Sequence, residues 1–91
     1  STLDFRYPNS TIISQNGSKA VYESTDDPKK ITDWYKDKIK SIGMKTTSFV
    51  QTSTNGNVLN KLVGANGNKE VRVEISKQNN NAVVKIVVVS N

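Results

Sequence analysis

Asp26 and Asp27 are adjacent, and Glu70 and Glu74 stand four residues apart. Paired acids can share a proton or hold a metal ion, so these are the first residues to weigh. On one strand the two glutamates would share a face at a separation of about 13 Å, too far for either task. The two aspartates directly precede a proline and an amphipathic run, where helix capping accounts for them. The chain has no histidine and no cysteine. That removes the commonest general base, the commonest metal ligand, and any thiolate site or disulfide framework. Serines are frequent, but no Gly-x-Ser-x-Gly elbow is present. Gly64-Ala65-Asn66-Gly67 lacks the Lys-Ser/Thr step of a phosphate loop and precedes a strand, so it reads as a turn. No catalytic, metal or cofactor residue is assigned, and no enzymatic activity is ascribed.

Trp34 and Tyr35 beside Lys36, Lys38 and Lys40 could form an aromatic and basic nucleic-acid surface. At helical spacing, however, the rings fall on the buried stripe, and Asp33 and Asp37 interleave with the lysines as on an ordinary solvated face. Nucleic acid is therefore not an expected partner. The helix that carries these residues is well bounded. Asp27 suits the N-cap, Pro28 the first helical position, and Gly43 a left-handed C-terminal cap. Between them Ile31, Trp34, Tyr35, Lys38, Ile39 and Ile42 recur at three- and four-residue steps, an apolar stripe with one lysine stem in it. A helix this short is marginal alone in water and needs a sheet to lie on.

The remaining runs supply that sheet. Thr11–Gln15 and Lys19–Ser24 are β-prone and separated by Asn16-Gly17, a hairpin signal. After the helix come four more runs, divided by Asn55-Gly56, Asn66-Gly67 and Asn79-Asn80-Asn81. The predicted fold is α+β in two layers, one helix on an antiparallel sheet, in the order β-β-α-β-β-β-β. Treated as two-residue loops, the last three turns put Phe49 opposite Leu62, Leu62 opposite Val71, and Ile75 opposite Val84. Phe49, Val58, Leu62, Val71, Val73, Ile75, Val84, Ile86 and Val88 then share one face, which a one-residue slip would scatter. Where the first hairpin joins is left open, and the apolar run Ala82–Val89 is either a central strand or an edge.

The opposite face holds Val50, Leu59, Val63, Val87 and Val89 with Lys61, Arg72 and Lys85. It is more apolar than solvation requires, which reads either as β-propensity with scattered exposed valines or as a binding or self-association surface with a basic centre. In this register Lys61 would face Arg72, an unfavourable pair, and Glu74 would face Lys85, a favourable one. Val50, Leu59, Lys61, Val63, Arg72, Lys85 and Val87 are the candidate binding residues.

Ninety-one residues make one domain, expected over residues 7–91 with a loose lead-in at 1–6, although Phe5 and Tyr7 should drop their rings against its edge. The chain starts at Ser1 and its one methionine is Met44, as in a processed or trimmed piece. Asn, Ser and Thr number 29, a polar and cysteine-free composition that fits a secreted or envelope protein. Asn9-Ser10-Thr11 and Asn16-Gly17-Ser18 match the glycosylation acceptor pattern, as chance would produce in a chain so rich in asparagine. The net charge of +5 lies mostly in residues 44–91 and supports solubility and weak attraction to polyanions.

Tyr7-Pro8-Asn9-Ser10, then Tyr22-Glu23-Ser24-Thr25-Asp26-Asp27-Pro28, Trp34-Tyr35-Lys36 and Ile42-Gly43-Met44 carry a resemblance. Over roughly residues 7–50 the chain resembles a small domain found in exported lipoproteins and other envelope proteins of bacteria and archaea, with Met44 standing where an aromatic is common. The resemblance implies an extracytoplasmic, non-catalytic domain, meeting a membrane only through a removed N-terminal anchor. It transfers no functional residue. The function expected is partner binding or self-association. One alternative is a polyanion-binding module using Lys61, Arg72 and Lys85, and another is a small enzyme or inhibitor with unrecognised active residues.

Overall fold

The computed structural model describes residues 5–91. Along the chain these form β1 (Thr11–Asn16), β2 (Lys19–Ser24), α1 (Pro28–Ser41), β3 (Lys45–Thr54), β4 (Asn57–Asn66), β5 (Lys69–Lys77) and β6 (Val84–Ser90). The fold is α+β, one helix packed on a six-stranded antiparallel sheet in the spatial order β1-β2-β6-β5-β4-β3. The first hairpin therefore joins through β2 on β6, with Tyr22 opposite Ile86 and Val21 opposite Val87. This places β6 inside the sheet, and β1 and β3 are its edges. Residues 1–4 of the expected lead-in lie outside the described residues. Phe5 is already part of the core at 3% exposure.

Pro28 opens α1 as expected, and its missing N–H would have had no helical partner. Asp27 occupies the N-cap, but its carboxylate makes no capping hydrogen bond, which corrects half of the expectation. Asp26 is engaged elsewhere: its carboxylate accepts from the Tyr7 hydroxyl at 2.7 Å. At the other end Met44 N–H donates to the Ile39 carbonyl at 3.0 Å and Gly43 N–H to that of Lys40 at 3.1 Å. With Gly43 at φ +85°, this is a Schellman cap that only glycine enters without strain.

The helix lays Ile31, Tyr35 and Ile39 on Leu62, Val71, Val73, Ile75, Val84 and Ile86, all fully or nearly fully buried. Thr32 is buried too, outside the expected apolar stripe, whereas Trp34, Lys38 and Ile42 are half-buried along its side. The Thr32 hydroxyl donates to the Pro28 carbonyl at 2.8 Å and accepts from the Asn60 amide at 2.9 Å. Asn60 is 1% exposed, so this polar contact sets where the helix rides on β4. Beyond the helix the inner face is closed by the N-terminal segment. Tyr7 packs edge-on against Trp34, with ring centroids 5.5 Å apart, and Tyr35 donates to the Phe5 carbonyl.

All the residues expected on the inner face fall on it, but two of the three registers differ. Phe49 lies opposite Leu62 as expected. Leu62, however, meets Val73, and Ile75 meets Ile86, each displaced by two residues. The cause lies in the turns. Asn55 and Gly56 both have positive φ, as a type I′ loop requires. In the first hairpin and in the β4–β5 hairpin the asparagine instead ends its strand, and the loops are Gly17-Ser18 and Gly67-Asn68. Each of those glycines has φ +59°, which is the first central residue of a type II′ turn. The β5–β6 connection runs over six residues, 78–83, and is braced by Asn79 N–H donating to the Asn57 side chain at 2.8 Å.

Candidate functional site

Strand alternation sends every second residue of β4, β5 and β6 away from α1. All seven candidate residues fall on that outer face, and none is buried. Three of the rows that cross it carry the candidates. One runs Val21, Val87, Glu74, Lys61 and Val50; the next runs Lys19, Val89, Arg72, Val63 and Ser48; the third runs Glu23, Lys85, Ser76, Leu59 and Thr52. Lys61, Val63, Arg72 and Val87, together with Glu74 and Val89, border a depression of about 250 Å³ at the centre of the face. Val50, Leu59 and Lys85 are on the same face but outside that depression.

The displaced registers change the electrostatics from those expected. Lys61 does not face Arg72. It stands opposite Glu74, a favourable cross-strand pair. The Arg72 guanidinium donates to Glu70 at 3.3 Å along its own strand. Lys85 lies opposite Ser76 on one side and Glu23 on the other, not opposite Glu74. Each of the three candidate bases, Lys61, Arg72 and Lys85, thus has a carboxylate neighbour. Glu74 and Val89, absent from the candidate set, complete the depression. Alternation already placed both on this face, and the signal for including them was parity alone.

Other hollows are less suited to a ligand. Beneath Phe5, Ala20, Tyr22 and Val88 lies a gap of about 40 Å³, room for little more than a water molecule. A wider hollow of about 320 Å³ beside Trp34, Asp37, Lys38 and Ser41 is bordered by α1 only, so it cannot enclose a molecule. Between helix and sheet the volume is filled by Tyr35, Ile31, Ile39, Leu62, Ile75 and Ile86. Trp34 and Tyr35 meet edge to face at 4.9 Å, engaged with each other and with Tyr7. Among the described residues there is no group of three or more acidic side chains able to hold a metal ion. Among the described residues no helix is long and apolar enough to cross a membrane.

The family model described as START domain-like matches residues 7–84. The chain belongs to the START domain-like family. No curated protein matches it.

Proposed function

We propose that this START domain-like chain is a non-enzymatic binding domain that holds a protein partner, or a second copy of itself, against the outer face of its sheet. The observation that carries this reading is the face itself. It has no covering layer among the described residues, and its centre sets Val63, Val87 and Val89 among Lys61, Arg72 and Glu74. A half-buried apolar centre with interleaved charges of both signs resembles the anatomy of a protein contact, an apolar middle with a polar rim. A polyanion site would leave its bases unopposed, whereas Lys61, Arg72 and Lys85 each sit beside a glutamate. We further propose an extracytoplasmic setting, which rests on the polar, cysteine-free composition and on the resemblance to exported envelope domains.

A photoreactive side chain at position 87, introduced in cells that make the protein, tests the reading. We expect adducts from position 87 and none from position 37, on the solvent side of α1. Equal adducts from both positions, or none from position 87, would overturn it. Sedimentation separates the versions: a dimer abolished by Val63→Glu means a second copy, and a monomer that still cross-links means a different protein. Heparin retention lost in Lys61→Ala/Arg72→Ala would return the choice to the polyanion reading.

A further inference from the structure

The two edges of the sheet are unlike. β1 has six residues, a register break between Ile12 and Ser14, and Pro8 just ahead of it. These are devices by which sheets discourage pairing at an edge. β3 has ten residues, all exposed. Its register break lies between Thr46 and Ser48, and from Ser48 to Thr54 its pairing with β4 is regular. It contains no proline, no acid and one charge, Lys45.

The adjoining turn dictates which backbone groups of β3 are unmet. Across the two-residue loop Asn55-Gly56, the flanking Thr54 and Asn57 form a hydrogen-bonded pair. Alternation along an antiparallel ladder then aims the N–H and C=O of Thr54, Thr52 and Val50 at β4. Those of Ser53, Gln51 and Phe49 point to the open side.

Charge selects the occupant. Residues 45–66 contain Lys45 and Lys61 and no carboxylate. On the outer face Lys61 is balanced by Glu74, but Lys45, on β3 itself, stands opposite the uncharged Ala65. On the inner side the Lys36 ammonium sits 3.8 Å from the centre of the Phe49 ring, which is 36% exposed. Cations thus flank the open edge on both faces. A second copy would bring like charges together, while a strand bearing carboxylates would be drawn in.

We propose that the open edge of β3 receives an extended, acidic segment of a partner protein, which joins the sheet as a seventh strand through the backbone of Phe49, Gln51 and Ser53. This goes beyond the outer-face reading, which rests on side chains of β4, β5 and β6. Either can fail without the other.

The probe is an end-blocked heptapeptide of alternating glutamate and valine, compared with its lysine–valine counterpart. Residue-resolved hydrogen exchange should show the acidic peptide protecting the Phe49, Gln51 and Ser53 amides, with Val50 and Thr52 unchanged. Affinity should fall at least several-fold between about 0.05 and 0.5 M salt, and the lysine peptide should not bind. Gln51→Pro removes an outward N–H that β4 does not use, so the fold should persist while binding is lost. Val87→Thr, on the outer face, should leave peptide binding intact. Four results would overturn the proposal: equal binding of the lysine peptide, protection elsewhere or nowhere, binding retained in folded Gln51→Pro, or a dimer of the chain that Gln51→Pro abolishes. Should Gln51→Pro fail to fold, the exchange pattern of the unsubstituted chain decides.

Discussion

The two faces of the sheet are made of alternate residues of the same strands, yet they differ in what they can tolerate. On the inner face of β5, Val71, Val73 and Ile75 are sealed beneath the helix. One residue along, Arg72 and Glu74 are open to solvent. The inner face removes aliphatic area from water and contributes most of the stability. The outer face contributes little to it, and for that reason its valines and paired charges can be shaped for contact.

Substitutions on the two faces should therefore separate by size. Leu62→Ala, in the middle of the inner face, should destabilise by about 2–5 kcal/mol, read as a lower urea midpoint. A loss below about 1 kcal/mol would mean the helix does not seal this face. Gly64→Ala adds a Cβ on the same face, 2.6 Å from Cγ2 of Ile39. Ile39 is fully buried and cannot move aside, so overpacking should cost about 1–3 kcal/mol, and Gly64→Ala/Ile39→Ala, which removes the clashing Cγ2, should cost less than the sum of the two single changes.

At the rim between the faces, Tyr7→Phe should cost about 1.5 kcal/mol through the lost bond to Asp26. It carries a pH signature as well. The Tyr7 phenol is pushed up from 10.0 to about 12, first by burial, then by its hydrogen bond to Asp26 and by the carboxylate's charge. A raised phenol pKa means that the folded chain holds this proton more tightly than the unfolded one. Its contribution is complete below pH 10 and is lost as pH climbs from 10.0 to about 12. The gap in stability between the unsubstituted chain and Tyr7→Phe should narrow over that window in alkaline denaturation. Val63→Thr, on the outer face, should shift stability by no more than about 0.5 kcal/mol. A larger loss in the isolated domain would show that face to be structural.

Much of the scaffold was legible in the chain because its signals are local. Pro28 and Gly43 bracket the helix, and six strand runs are separated by glycine- and asparagine-rich turns and by the helix itself. The seven candidate residues came out on one face because alternation has a period of two. The same periodicity is blind to a slip of two, which keeps every residue on its face and alters only its neighbour. Hence a two-residue loop at Asn66-Gly67 sets Lys61 against Arg72, whereas Lys61 stands opposite Glu74 in the fold. The deciding detail was whether asparagine or glycine opens each loop, a choice between turn types that dipeptide pattern alone leaves open.

Asp26 and Phe49 show the other limit. Asp26 looked like part of a helix cap, and it serves instead to hold Tyr7, nineteen residues away. Phe49 has inner-face parity, but it lies on an edge strand beyond the middle of the helix, so it stays open with Lys36 over its ring. Neither partner could be read locally.

Element order, helix limits and the facing of the side chains on the four strands after the helix were written in the sequence, since they follow from neighbours a few residues apart. Tertiary structure alone decided that β2 docks on β6, that β3 is left as an open edge, and that Lys61, Arg72 and Lys85 each have an acid beside them. Those outcomes depend on closing long loops and on which of several compatible strand pairings buries the most apolar surface. That competition is settled over the whole chain at once, and no local pattern records its result.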